Sequence, residues 1–314
     1  MRIVCLERAS IPAPLPRPDV EHEWLEFEST QQDQVVGRLS GARIAIVNKL
    51  RIGAAELAAL QDLQMISLLA TGADNIDLAA CAARGIVVSN VRGYAVHSVP
   101  EHAILLMLAL RRSLFDYVAD VRGGRWARAP SFCLTGHPVR DLNGATLGII
   151  GRGALGAATA NLGAAFGMRI LFAERKGADL VREGYASFEQ VLGEADVLSL
   201  HCPLGPATRG LIGAAELARM KPEAILVNTA RGALVDEQAL ADALRAGRIA
   251  GAAVDVLSQE PPREGNPLLA ADVPNLLVTP HIAWGSSGAM RELAAQAIRN
   301  VEAFVAGTPR NRLA

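Results

Sequence analysis

The feature that most constrains this chain is a run of glycines set between two different hydrophobic patterns. Ala145-Thr146-Leu147-Gly148-Ile149-Ile150 is a short apolar stretch, the pattern of a strand buried on both faces. Gly151-Arg152-Gly153-Ala154-Leu155-Gly156 follows, and residues 157–166 are rich in alanine and leucine, as a helix prefers. A strand, a tight glycine turn and a helix in that order can cradle a pyrophosphate. The glycines let the backbone approach the phosphates, and the helix N-terminus offers N–H groups that have no partner inside the helix. An acid is then expected at the end of the next strand, where it can meet the adenosine ribose. Met168-Arg169-Ile170-Leu171-Phe172-Ala173 leads into Glu174, 174 − 156 = 18 residues past the last glycine. Glycine spacing alone is weak evidence, but the complete setting predicts a nicotinamide dinucleotide site. Glu174 favours NAD, because its charge repels a 2′-phosphate. Arg175 and Lys176 follow at once and keep NADP open.

The remaining sequence fits a globular protein of two domains. It has 314 residues, with 20% charged and 51% hydrophobic, enough to build a large core. A formal net charge of −1 and the lack of a Lys/Arg block argue against nucleic acid as a partner. The apolar run at 103–110 is too short to span a bilayer, so no membrane partner is expected. Cys5, Cys81, Cys133 and Cys202 are widely spaced and match no metal-binding pattern; free thiols and no metal site are expected. The N-terminus reads as a strand followed by proline-rich coil at 11–18, not as a secretion signal, and the expected location is the cytoplasm.

Apolar runs alternate with helical patterns along the chain, the signature of parallel βαβ units. Strands are expected at 43–47, 65–69 and 86–89, with helices at 54–60 and 76–84 between them. A helix begins near Pro100 and runs to about residue 112; 113–140 reads as irregular, a projecting arm. Beyond the glycine turn, strands at 195–200, 224–228, 250–254 and 276–278 alternate with helices at 188–192, 214–220 and 235–246. A helix at 286–305 closes the chain.

Ligands of open α/β sheets bind beyond the carboxyl ends of the strands. Arg231, Glu260 and His281 each follow such an end. Together they suit hydride transfer to a carbonyl. A histidine can deliver the proton that the carbonyl oxygen needs, a carboxylate favours the imidazolium, and an arginine can clamp a substrate carboxylate with two N–H groups. Read from residue type alone, each could also be structural: a core histidine, a surface glutamate before Pro261-Pro262, an arginine paired locally.

The motifs then resemble one family from end to end. Ala70-Thr71-Gly72-Ala73-Asp74-Asn75-Ile76-Asp77, Ser98-Val99-Pro100-Glu101-His102, the glycine turn and His201-Cys202-Pro203-Leu204 are similar to the D-isomer-specific 2-hydroxyacid dehydrogenases. So are Asn228-Thr229-Ala230-Arg231-Gly232-Ala233-Leu234-Val235-Asp236, Ala253-Val254-Asp255-Val256, Glu260-Pro261 and Thr279-Pro280-His281-Ile282-Ala283-Trp284. The resemblance implies His281 as acid/base, Glu260 as its partner and Arg231 as a substrate-binding residue. It implies substrate contacts from Lys49 and from the backbone of Thr71, Gly72 and Ala73. It implies a cofactor lined by Gly151, Gly153, Ala154, Leu155, Gly156, Glu174, Cys202, Thr229, Ala230, Asp255 and Trp284. It also implies an α/β fold: a Rossmann-type cofactor domain over 98–285 and a flavodoxin-like substrate domain over 1–97 completed by 286–314, both with parallel sheets. The implied partners are a small 2-keto or 2-hydroxy acid and a second copy of the chain, as a homodimer. Within the family, the segments around Glu174 and His281 look most like the branch that interconverts hydroxypyruvate and D-glycerate. Glyoxylate, D-lactate and phosphoglycerate remain alternative substrates, and a cofactor-binding corepressor is the alternative of another class.

Overall fold

Every ladder in the two sheets is parallel in the computed structural model, which describes residues 1–314. The chain divides into two compact units, Met1–Tyr94 with Gly285–Ala314, and Ala95–Trp284. No helix is long and apolar enough to cross a membrane.

In the first unit β1 (Arg2–Cys5), β2 (Glu23–Glu26), α1 (Val35–Leu39), β3 (Ile44–Val47), α2 (Ala54–Ala59), β4 (Met65–Leu68), α3 (Leu78–Ala83) and β5 (Val87–Ser89) follow in order. The sheet order is β2-β1-β3-β4-β5, the flavodoxin-like arrangement. Its β3 and β4 are buried at every position, as strands covered on both faces must be. β2 and α1 were not anticipated from the sequence. β2 is a charged edge strand, Glu-Trp-Leu-Glu, with none of its residues buried, so it carries no apolar alternation to read.

The second unit opens with α4 (Ser98–Arg111) and α5 (Leu114–Arg122). It continues through β6 (Thr146–Ile150), α6 (Ala154–Ala165), β7 (Arg169–Ala173), α7 (Phe188–Glu194), β8 (Val197–Leu200) and α8 (Ala214–Leu217). Then come β9 (Ile225–Asn228), α9 (Glu237–Arg245), β10 (Gly251–Val254) and β11 (Leu276–Val278). The sheet order is β11-β10-β9-β8-β6-β7, and an isolated parallel bridge from Ala173 to Ala186 extends it past β7. Counting that bridge as a rudimentary strand gives the Rossmann order with one strand added at the far edge. Alternate residues feed two cores. Leu147, Ile149, Val197 and Val227 pack with α4 and α6, while Ile150, Leu198, Leu200 and Leu226 pack with α7 and α9.

The segment 113–140 is not wholly irregular, since it contains α5. That helix has an apolar stripe but buries no residue within the chain, so its pattern had no packing partner to confirm it. The helix after the glycine turn starts at Ala154, three residues earlier than its alanine-rich run suggests, with Gly153 as N-cap.

The last helix, α10 (Ser287–Val305), belongs to the first unit. The Ser67 hydroxyl of β4 donates to the Ala297 carbonyl at 3.0 Å, and buried Asn300 donates to the Asn90 carbonyl at 2.8 Å. The tail then returns along β5, where Leu313 N–H donates to Val88 O at 2.7 Å.

Candidate active site

The glycine turn is shaped by what it touches. Gly151 has φ of 103°, and a Cβ there would lie 2.6 Å from the Cys202 nitrogen and from the His201 carbonyl carbon. The loop after β6 therefore lies directly against the chain leaving β8, at the point where strand order reverses. A Cβ at Gly156 would meet the Gly151 carbonyl oxygen at 2.0 Å, so helix and turn also close on each other. At Gly153 the opposite holds: a Cβ would meet no atom within 4 Å. Open space therefore faces the first residues of α6, Ala154 and Leu155. Nearby in the sheet, the Thr229 hydroxyl at the end of β9 is buried and has no hydrogen-bond partner. An open backbone cradle and an orphaned buried hydroxyl fit a dinucleotide.

His201 and Cys202 border this region. Burial lowers the His201 imidazole to about 4, so the ring is neutral near pH 7; its Nε2 is 2.9 Å from the Ser199 hydroxyl. Burial pushes the Cys202 thiol up, which makes it a packing group and not a reactive thiolate. Ala230, like Cys202, is half-buried.

Glu174 stands at the end of β7, where the spacing puts it, but its carboxylate is already engaged. Arg182 Nε donates to Oε2 at 2.5 Å and Nη2 to Oε1 at 2.9 Å; the Arg175 N–H donates to Oε1 at 2.8 Å. The Arg182 guanidinium, followed by the Arg175 N–H, holds this carboxyl down at about 2. Lys176, considered as a phosphate ligand, pairs with Glu216 at 2.8 Å instead. Arg182 was missed because nothing in its spacing from Glu174 marks a pair across a loop.

The three polar residues come from the loops after β9, β10 and β11. His281 Nδ1 lies 2.5 Å from Glu260 Oε2, and the other Glu260 oxygen accepts the Leu257 N–H at 2.8 Å. The Arg231 loop is held against the Glu260 loop by Gly232, where a Cβ would fall 1.9 Å from the Leu257 carbonyl carbon. Arg231 Nη1 donates to the Ala230 carbonyl at 2.8 Å, and its own carbonyl accepts from the Asn228 amide at 2.9 Å. Residues separated by 281 − 231 = 50 positions are thus carried on the ends of three successive strands of the sheet, with β10 between β9 and β11.

His281 has φ of 56°, an uncommon conformation for a residue with a side chain. Buried Asp255 explains how it is held. The Asp255 carboxylate accepts from the Thr279 hydroxyl at 2.5 Å and from the N–H groups of Ile282 and Ala283 at 2.9 Å each, and its carbonyl accepts the His281 N–H at 2.7 Å. His102 adds a contact from α4, with Nε2 3.1 Å from the Thr279 hydroxyl. The Trp284 indole donates to the His281 carbonyl at 2.9 Å. Asp255 and Trp284, anticipated beside the cofactor, thus also fix the loop that carries His281.

Lys49, Thr71, Gly72 and Ala73 belong to the first unit, beyond the carboxyl ends of β3 and β4. The Glu7 carboxylate accepts the backbone N–H groups of Asn48 at 2.7 Å and Lys49 at 2.9 Å. The Thr71 hydroxyl donates to Val91 O at 2.7 Å, and Asn90 donates to Thr71 O at 2.7 Å. No acceptor in the chain takes up the N–H groups of Thr71, Gly72 and Ala73.

Residues 104–283 match the family described as "D-isomer specific 2-hydroxyacid dehydrogenase, NAD binding domain". A glycerate dehydrogenase from Methylorubrum extorquens is 48% identical over 311 residues, covering 99% of this chain and 98% of the relative. A hydroxypyruvate reductase from Blautia hydrogenotrophica is 35% identical, covering 90% of this chain and 88% of its own. The crystal structure of the TT0316 protein from Thermus thermophilus, 34% identical, superposes with a TM-score of 0.84 and covers 100% of both chains. The glycine turn, the two parallel sheets and these full-length similarities agree: the chain belongs to the D-isomer-specific 2-hydroxyacid dehydrogenase family, NAD-dependent oxidoreductases acting on 2-hydroxy acids.

Proposed function

We propose that this chain reduces hydroxypyruvate to D-glycerate, and runs the reverse reaction, with His281, Glu260 and Arg231 as its reacting and binding groups. The observation that carries the reading is the 2.5 Å contact between His281 Nδ1 and Glu260 Oε2, in the unit that also bears the glycine turn. With Nδ1 committed to a carboxylate, Nε2 is the nitrogen left to exchange a proton with substrate. A nicotinamide dinucleotide seated on the glycine turn supplies the hydride. As C2 of the keto acid is reduced, Nε2 gives its proton to the carbonyl oxygen; in oxidation it takes that proton back. Glu260 stabilises the imidazolium that donates, and the Leu257 N–H keeps Glu260 in place. Arg231 binds the substrate carboxylate through its planar fork, and within the first unit the N–H groups of Thr71, Gly72 and Ala73 are donors of the kind that an anion takes.

The substrate assignment draws on the names of the relatives from Methylorubrum extorquens and Blautia hydrogenotrophica. Turnover of hydroxypyruvate, glyoxylate, pyruvate and phosphohydroxypyruvate with NADH tests it. The highest kcat/KM should belong to hydroxypyruvate; a higher value for another acid would reassign the substrate. Absence of turnover with all of them would favour a non-catalytic cofactor-binding protein.

The working assembly we propose is a homodimer in the cytoplasm. Phe115, Trp126 and Phe132 lie on and beyond α5 and are 58%, 51% and 90% exposed, large apolar side chains that a monomer would leave in water. Phe115 also lines a groove of about 540 Å³, together with Leu110, Pro138 and Val273. A second copy supplies the same surface for a two-fold contact. Four free cysteines suit a reducing compartment. Sedimentation should give twice the mass of 33.1 kDa, and a monomer at micromolar concentration would exclude the dimer.

A further inference from the structure

All four acceptor positions of the Glu174 carboxylate are taken within the chain. Oε1 receives the Arg175 N–H and Arg182 Nη2; Oε2 receives Arg182 Nε and, at 3.4 Å, the Arg182 N–H. A carboxylate has about four lone-pair sites to offer. Ribose hydroxyls can therefore donate to Glu174 only after the Arg182 side chain moves away. That side chain is 58% exposed, whereas Glu174 is 5% exposed, so the arginine is the partner with freedom to move.

A second guanidinium stands close by. Arg152, inside the glycine turn, lies 4.5 Å over the Phe172 ring and 5.5 Å from the centre of the Tyr185 ring. Arg182 lies 4.2 Å over the same Tyr185 ring. Phe172 is in β7, directly before Ala173 and Glu174, so both cations gather where the ribose-binding acid stands. The aromatic rings hold them at modest cost in hydration, since cation–π contacts do not use up their N–H groups. Arg182, paired with Glu174, and Arg152, which pairs with no carboxylate, thus share the Tyr185 ring.

We propose that Arg182 and Arg152 form a 2′-phosphate site, with Arg182 exchanging the Glu174 carboxylate for the phosphate, so that the chain binds NADPH as well as NADH. In this arrangement Glu174 stores Arg182 in position and does not by itself exclude NADP. The exchange replaces one charge-assisted pair by another, and Arg152 supplies the second guanidinium that a phosphate of two negative charges demands. The inference rests on the cofactor reading of the glycine turn and concerns only which ribose it takes.

Direct titration separates the possibilities. NADH and NADPH are titrated into the purified protein without substrate, following nicotinamide fluorescence, at low and high salt. The wild-type dissociation constants should lie within about tenfold of each other, and only the NADPH value should weaken markedly with salt, as phosphate–guanidinium contacts at a surface do. Arg182→Ala should raise the ratio of the NADPH to the NADH constant at least tenfold, and Arg152→Ala should raise it several-fold. Arg152 packs on the Phe172 and Tyr185 rings and holds no salt bridge, so its variant keeps the test open should Arg182→Ala fold poorly. An unchanged ratio in Arg152→Ala, or a wild-type protein that binds NADH but not NADPH, overturns the proposal. Failure to bind either nucleotide would instead overturn the cofactor reading of the turn.

Discussion

Gly232→Ala tests whether the loop holding Arg231 must lie directly on the loop holding Glu260. A Cβ at Gly232 would stand 1.9 Å from the Leu257 carbonyl carbon and 2.3 Å from both the Leu257 oxygen and the Ser258 nitrogen. All three are backbone atoms, so no side chain can rotate aside. Ordinary contact begins at 3.4 Å, and 3.4 − 1.9 = 1.5 Å is the least the two loops must part. Misplacing a reacting group by roughly 1 Å can cost about 10²-fold in rate. We therefore expect kcat/KM for the keto acid to fall by about 10²-fold or more, with overpacking costing about 1–3 kcal/mol of stability. Steady-state kinetics and NADH titration on the same preparation measure both sides. NADH affinity should change far less than kcat/KM, because the glycine turn belongs to another loop. Wild-type kcat/KM in a folded variant would refute the reasoning. Gly153→Ala is the contrasting substitution: its Cβ meets nothing in the protein, so it should fold normally and lose affinity for NADH.

The other residues give separable outcomes. Arg231→Lys keeps a charge but loses the planar fork, so the KM for the keto acid should rise while NADH affinity is little changed; equal activity on ketones lacking a carboxylate would exclude the clamp. In Glu260→Gln the His281 ring loses its carboxylate partner at Nδ1, so kcat/KM for the keto acid should fall while NADH affinity is little changed. Wild-type kcat/KM in this variant would exclude Glu260 as the partner of His281. His201 is held near 4 by burial, below its ordinary value of 6.5, so the fold prefers the neutral ring. Its contribution to stability is complete above about pH 6.5 and is lost as pH falls toward 4. His201→Asn should therefore flatten the pH dependence of denaturant stability by up to about 1.4 kcal/mol per pH unit in that window. Parallel wild-type and variant curves there would contradict this.

What the sequence made legible was local or periodic. The glycine turn could be read because strand, turn and helix are contiguous, and the strand ends could be read because buried parallel strands are short apolar runs. Arg231, Glu260 and His281 could be chosen as types at strand ends, but their assembly depends on β9, β10 and β11 being neighbours. That adjacency, and the close approach allowed by Gly232, are three-dimensional facts. β2 and α5 escaped notice because neither buries a face within the chain that would impose a clear pattern. The Glu174–Arg182 pair escaped because its arginine lies in an irregular loop, where spacing carries no geometric meaning. Asp255 was tied to the cofactor by resemblance alone, while the three hydrogen bonds its carboxylate accepts from the His281 loop could be seen only in the fold.

The central claim is that His281 delivers the proton to the substrate carbonyl, and single-turnover reduction of hydroxypyruvate by His281→Ala loaded with NADH measures it most directly. Loss of general acid catalysis costs roughly 10²–10⁴-fold. The account predicts hydride transfer slowed by that order, seen as persistent NADH absorbance, with NADH binding retained. Hydride transfer at the wild-type rate in this variant would contradict it.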